Sequence, residues 1–133
     1  MAAGKFSFTI EQGATLDFEI AYKDSGSNPI SLKDHQARMQ IRSGQSTDST
    51  LLLTLSSSLG NDGSGLNLSG SSGTNPIESG SIGIFISANS SSQLDFETAV
   101  YDLEIASGSS FPIVTRILEG NIQLSKNVTL GSF

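Results

Sequence analysis

The chain has no cysteine, no tryptophan, one histidine and three prolines in 133 residues. Without cysteine it can build neither a disulfide framework nor a thiolate metal site. A single histidine, His35, argues against an ordinary zinc or copper centre. Charge is also scarce: 15% of residues are charged, against about 25% in an average globular domain. What charge there is leans acidic, with 13 Asp and Glu against 7 Lys and Arg, a net of −6 and a pI near 4.5. That balance repels a phosphate backbone, and the bases are scattered along the chain, so no nucleic-acid partner is expected. No apolar run approaches the ~18 residues that span a bilayer. The opening MAAGKFSFTIEQG has no apolar core ahead of Lys5. Neither membrane insertion nor a signal peptide is therefore expected.

What replaces charge is serine, roughly a fifth of the chain, together with 14 glycines. Such polar, uncharged surfaces are common among extracellular and virion β-proteins. The hydrophobic residues recur with a period of two, the mark of half-buried strands. The longest example runs from Ala99 to Leu124. Ala99, Tyr101, Leu103 and Ile105 share one face, and after a Ser/Gly/Pro connector Val114, Arg116, Leu118, Gly120, Ile122 and Leu124 share one parity. This predicts a long antiparallel hairpin, which needs a partner sheet because two strands alone are marginal in water.

Upstream, Lys5–Glu11 alternates with Phe6, Phe8 and Ile10 inward, and Ala14–Lys23 with Leu16, Phe18, Ile20 and Tyr22 on one face. Asp24–Pro29 reads as a turn, after which Ile30 and Leu32 clip it to the core. His35–Ser43 places Ala37, Met39 and Ile41 inward. Leu51, Leu53 and Leu55 form the inner face of a further strand, with Leu52 opposite and covered or at an interface. Ser81–Ser87 puts Ile82, Ile84 and Ile86 inside. Ala88–Phe96 is expected to hold a capped helical turn, with Ser90 or Ser91 as the cap ahead of Gln93 and Leu94. Residues 57–79 read as a flexible Ser/Gly-rich section in which Leu66 and Leu68 pair with a neighbour. Turn signals about every ten residues predict one domain over 1–133, an all-β, immunoglobulin-like antiparallel β-sandwich of about seven to nine strands.

Catalytic signatures are not found. His35 stands beside many serines, but no G-x-S-x-G elbow is present, so the bland reading is a turn histidine. Asp24 with Asn28, and Asp62 with Asn61, sit in Gly-rich turns that could offer oxygen ligands to a hard cation; Asx turns explain both without metal. Asp17 with Glu19 and Asp102 with Glu104 are carboxylate pairs on strand faces, the usual pattern of a solvent face rather than of a glycosidase cleft. No catalytic residue, metal site or cofactor is expected, and the chain is read as no enzyme. Arg116, on the parity of Val114 and Leu118, needs a carboxylate from Asp102, Glu104 or Glu119 if it points inward; it is either a strand-edge ion pair or an intersubunit anchor.

Taken in order, KFSFTIEQGATLDFEIAYKDSGSNPISL, ARMQIRS, the Leu-rich strand, SIGIFISA, AVYDLEI and VTRILEGNIQLSKNVT resemble a group of short virion proteins of tailed bacteriophages. They are similar too to the N-terminal domains of some phage baseplate proteins. IEQGAT, ARMQIRS, VYDLEI and RILEGNIQLS carry the resemblance most specifically, while 57–79 matches poorly. The resemblance implies a non-enzymatic structural protein of the virion, in the tail or baseplate, partnered by other virion proteins and by copies of itself. It also implies assembly in the host cytoplasm and release by lysis. A capsid (head) decoration protein is the alternative. A host-surface glycan-binding module is disfavoured by the lack of tryptophan platforms. If the work is done by interfaces, the candidates are Leu51, Leu52 and Leu53, Arg116, and Val128, Leu130 and Phe133 of a docking C-terminal tail over 126–133.

Overall fold

In the computed structural model, residues 4–46, 48–108 and 112–129 are described. The strands are β1 (Gly4–Lys5), β2 (Phe8–Glu11), β3 (Leu16–Ala21), β4 (His35–Arg42), β5 (Leu51–Ser56), β6 (Gly65–Asn67), β7 (Ser81–Ile86), β8 (Thr98–Ser107) and β9 (Ile113–Ser125), with a short α-helix, α1 (Ala88–Ser92), and a single 3-10 turn over Ile77–Ser79 among the described residues. Six strands form a sheet in the order β1-β9-β8-β4-β5, with β2 also on β9. The other three form a sheet in the order β3-β7-β6. The two sheets pack together as an all-β sandwich.

The alternation determines the core. Met39 and Ile41 from β4, Leu103 from β8 and Ile122 from β9 are fully buried. So are Ile82, Ile84 and Ile86 of β7 and Leu66 of β6. Each such side chain contributes about 1.5–3 kcal/mol when taken out of water. At one end Phe8 of β2 meets Phe18 of β3 across the sheets, ring centroids 5.2 Å apart, and Tyr101 of β8 edge-on at 5.2 Å. The long hairpin forms as expected, β8 pairing β9 from Thr98↔Gln123 to Ser107↔Ile113. Leu32 is fully buried and its N–H bonds the Ile77 carbonyl, which clips the preceding turn to the core.

Four expectations are corrected. First, the sheets are not wholly antiparallel: β1 and β2 run parallel to β9. β9 is 13 residues long, and the N-terminal segment fills the side of it that β8 leaves open. The single strand expected over Lys5–Glu11 is interrupted at Phe6 and Ser7, where the backbone crosses Gly120; a Cβ at Gly120 would lie 2.0 Å from the Phe6 carbonyl oxygen.

Second, a bulge interrupts β9. Leu103 pairs with Leu118 but Glu104 pairs with Arg116, so Ile117 is an extra residue. One inserted residue flips every side chain beyond it. Leu118, Gly120, Ile122 and Leu124 keep the core parity, while Val114 and Arg116 lie on the outer face opposite Ala106 and Glu104. Third, the same device acts in β5: Ile41 pairs with Leu53 but Arg42 with Leu51, so Leu52 is the extra residue. Leu55 is buried and Leu52 and Leu53 pack partly against the core, whereas Leu51 turns outward and is 46% exposed. Fourth, α1 starts earlier than expected. Ser87 is its N-cap, with Oγ accepting from the Ser90 N–H at 3.1 Å.

Residues 57–79 are threaded by turns rather than by a strand alone. Leu66 in β6 pairs with Ile84, and Leu68 packs partly against the core. Turn bonds Gly63 N–H to Gly60 O, Gly70 N–H to Asn67 O and Gly73 N–H to Gly70 O tie the remainder.

Candidate assembly surfaces

The outer face of the six-stranded sheet collects four of the chain's seven basic residues. Outward alternation in β4 (Arg38, Gln40, Arg42) and β8 (Asp102, Glu104) meets Arg116 and Glu119 of β9 and Lys5 of β1. All three arginines of the chain and one of its four lysines stand on this face. They line a broad groove of about 930 Å³ together with Ser7, Asn121 and the Gly44–Ser46 turn. Arg38 Nε donates to Glu104 Oε1 at 2.7 Å, Lys5 pairs with Glu119, and Arg116 reaches Asp102 at 3.3 Å and Glu119 at 3.6 Å. Burial raises the Asp102 carboxyl above its usual range, reinforced by the nearby Glu104 and opposed by Arg116. The hydrogen bond from Lys5 holds the Glu119 carboxyl below its usual range. Arg42 differs from its neighbours. It donates to Gln40 Oε1 at 3.2 Å and to the Ser49 carbonyl at 3.0 Å, and among the described residues no carboxylate lies within ion-pair distance of it.

Arg116 is thus an ion-paired residue of a solvent face, half exposed, with two of the three carboxylates weighed for it from the sequence as its partners. It is not inward. Exposed pairs of this kind stabilise by about 0–1 kcal/mol, so the network sets the face's charge pattern more than the fold's stability.

The second surface is the edge of β5, the terminal strand of the six-stranded sheet, which is unpaired on its outer side among the described residues. Its sequence, LLLTLS, contains no charge and no proline, two of the features that blunt an edge; the bulge at Leu52 is the one such feature it carries. Leu51 is exposed at its start, and Leu52 and Leu53 are half-buried behind it. Of the C-terminal candidates, Asn127 is tied back through its N–H to Gln12 Oε1 at 3.1 Å, and Lys126 to Asp95 at 2.9 Å. Val128 follows at 96% exposure and is not docked on its own domain. Leu130 and Phe133 lie outside the described residues.

The outer face of the three-stranded sheet is acidic. β3 presents Asp17 and Glu19, and β3, β6 and β7 carry no Lys or Arg. Asp17, Asp62, Leu59, Gly65 and Phe85 line a small pocket there, about 200 Å³. The Asp62 carboxylate accepts from Ser87 Oγ, from Ser90 Oγ at 2.7 Å and from the Ser64 N–H at 3.0 Å. Those bonds, the two serine hydroxyls first, hold it well below the usual aspartate range. The sequence pointed to Asp62 as the head of an Asx turn, which it is; its grip on the cap of α1 has no local sequence signal, because Ser87 and Ser90 lie 25 and 28 residues away. Asp24 likewise heads an Asx turn, accepting from Gly26 and Asn28 N–H at 2.9 and 3.0 Å.

His35 opens β4 with its Nδ1 2.8 Å from the Lys33 carbonyl; among the described residues no serine hydroxyl bonds to it. Among the described residues no group of three or more His, Asp or Glu is placed to hold a metal ion. No helix of the structure is long and apolar enough to cross a membrane. No family model matches the chain, and no curated protein is significantly similar to it.

Proposed function

We propose that the chain is a non-enzymatic structural protein of a tailed-bacteriophage virion, an immunoglobulin-like building block that acts through protein–protein interfaces in the tail or baseplate. The observation that carries the assembly role is the β5 edge: a six-residue, uncharged, largely apolar strand left unpaired on one side among the described residues. Such an edge is a template for a strand from another chain, with main-chain hydrogen bonds for affinity and alternate side chains for selection. The virion setting rests on the resemblance of IEQGAT, ARMQIRS, VYDLEI and RILEGNIQLS. The polar, weakly charged surface fits that setting.

Incorporation into particles tests the reading. Thr54 is exposed on β5, so Thr54→Lys adds a charge to the edge without entering the core. The variant is expected to fold, shown by an unchanged melting curve, and to be depleted from particles relative to the native protein. Equal incorporation would remove the edge from the argument.

A further inference from the structure

The two outer faces of the sandwich are complementary to each other. On the six-stranded side, three carboxylates are answered by Lys5, Arg38 and Arg116, and among the described residues Arg42 remains as a surplus cation lining the groove. On the three-stranded side, Asp17 and Asp62 flank the Phe85 pocket with no base among the residues that line it. The nearest lysine along β3, Lys23, lies beyond the end of that strand. Relief follows the same division. The basic side is hollowed. The acidic side carries a ridge beside its small pocket, because the turn Gly70–Gly73 crosses directly over Gly83, where a Cβ would lie 2.6 Å from the Ser71 nitrogen. Glu19 secures that ridge by accepting from the Ser71 N–H at 2.8 Å.

We propose that copies of this chain associate face to back, the Arg42 face of one copy receiving the Gly70–Gly73 ridge of the next together with the Asp17 carboxylate in the pocket beside it. The proposal deepens the assembly reading above but does not use the β5 edge. A contact between two different surfaces is heterologous, so it propagates into a ring or an open stack rather than closing as a dimer. Its attraction is electrostatic in origin and is screened by salt.

The experiment is sedimentation velocity of the purified protein at rising concentration, with Arg42→Glu, Asp17→Arg, the double variant, and an equimolar mixture of the two single variants. Each single reversal sets like charge against like and is expected to weaken association about tenfold or more. The double variant and the mixture restore opposite charges at every contact and are expected to recover it. Raising salt from about 50 mM to about 500 mM is expected to weaken the native association as well. Melting curves establish that each variant is folded. A native protein that stays monomeric, association indifferent to both reversals, or no recovery in the mixture would overturn the proposal. Association that ignores the reversals but is lost in Thr54→Lys would overturn it while leaving the edge reading intact.

Discussion

The Tyr101 hydroxyl donates a 2.6 Å hydrogen bond to the carbonyl of Phe6, 95 residues earlier in the chain. Tyr101 pairs across the hairpin with Gly120, and the space that a side chain at Gly120 would occupy is taken by that same Phe6 backbone. The missing side chain lets the N-terminal segment cross β9, and the tyrosine holds it there. Phe6, Phe8 and Phe18 then gather within 5.8 Å of one another and join the two sheets.

Gly120→Ala is expected to destabilise the fold by about 2–3 kcal/mol, since the clash is with backbone and no rotamer relieves it. Urea unfolding measures the loss. Hydrogen exchange should show it concentrated in residues 4–11; an effect spread evenly over both sheets would contradict the crossing as its cause.

Tyr101→Phe keeps the ring packing and removes the donor, at an expected cost of about 1 kcal/mol. Burial also pushes the Tyr101 phenol up from its ordinary 10.0 to about 12. A raised value in the folded state means that the neutral form is favoured by folding. The corresponding stability is complete below pH 10 and is lost as pH rises through about 12. Alkaline unfolding curves should therefore be shallower in Tyr101→Phe than in the native protein.

Asp62 supplies the opposite limb. Its folded value is depressed by Ser87 and Ser90, so its contribution is present above the ordinary aspartate value and fades as pH falls below it. Asp62→Asn should flatten the acid side of the stability profile and lower protection of the α1 amides. Identical acid profiles would show that the serine bonds do not persist in solution.

Arg116→Ala is expected to cost under about 1 kcal/mol, as for other exposed pairs. Leu103→Ala, one pairing position beyond the bulge and fully buried, should cost about 2–5 kcal/mol. A loss of 3 kcal/mol or more at Arg116, the order found on breaking a buried pair, would mean that it faces the interior after all.

Much of the sandwich was legible from period-two alternation, because each strand buries one face and the pattern is then fixed by packing. Ala37, Met39 and Ile41, the Ile82–Ile86 set and the Ala99–Ile105 set all fall where their parity puts them. What escaped was anything that changes parity. The bulges at Leu52 and Ile117 have no residue signature of their own, yet each reverses the face of its neighbours and so misplaced Leu51 and Arg116. The parallel seating of β1 and β2 depends on a contact between the two ends of the chain. Of the candidate surfaces, the Leu51–Leu53 strand was marked as an interface because Leu52 stands opposite its inner face; that it lies at a sheet edge needed the strand order. The charged face was half visible, as Asp102 and Glu104 on a solvent strand face; its assembly with Lys5, Arg38, Arg42, Arg116 and Glu119 needed the sheet order.

Gradient purification of particles from the source cells, followed by quantitative mass spectrometry of the particle band, tests the central claim most directly. The account expects the protein in that band, at a fixed copy number above one per particle and at a constant ratio to the tail proteins. Recovery of the protein wholly in the soluble fraction, with none in intact particles, would contradict it.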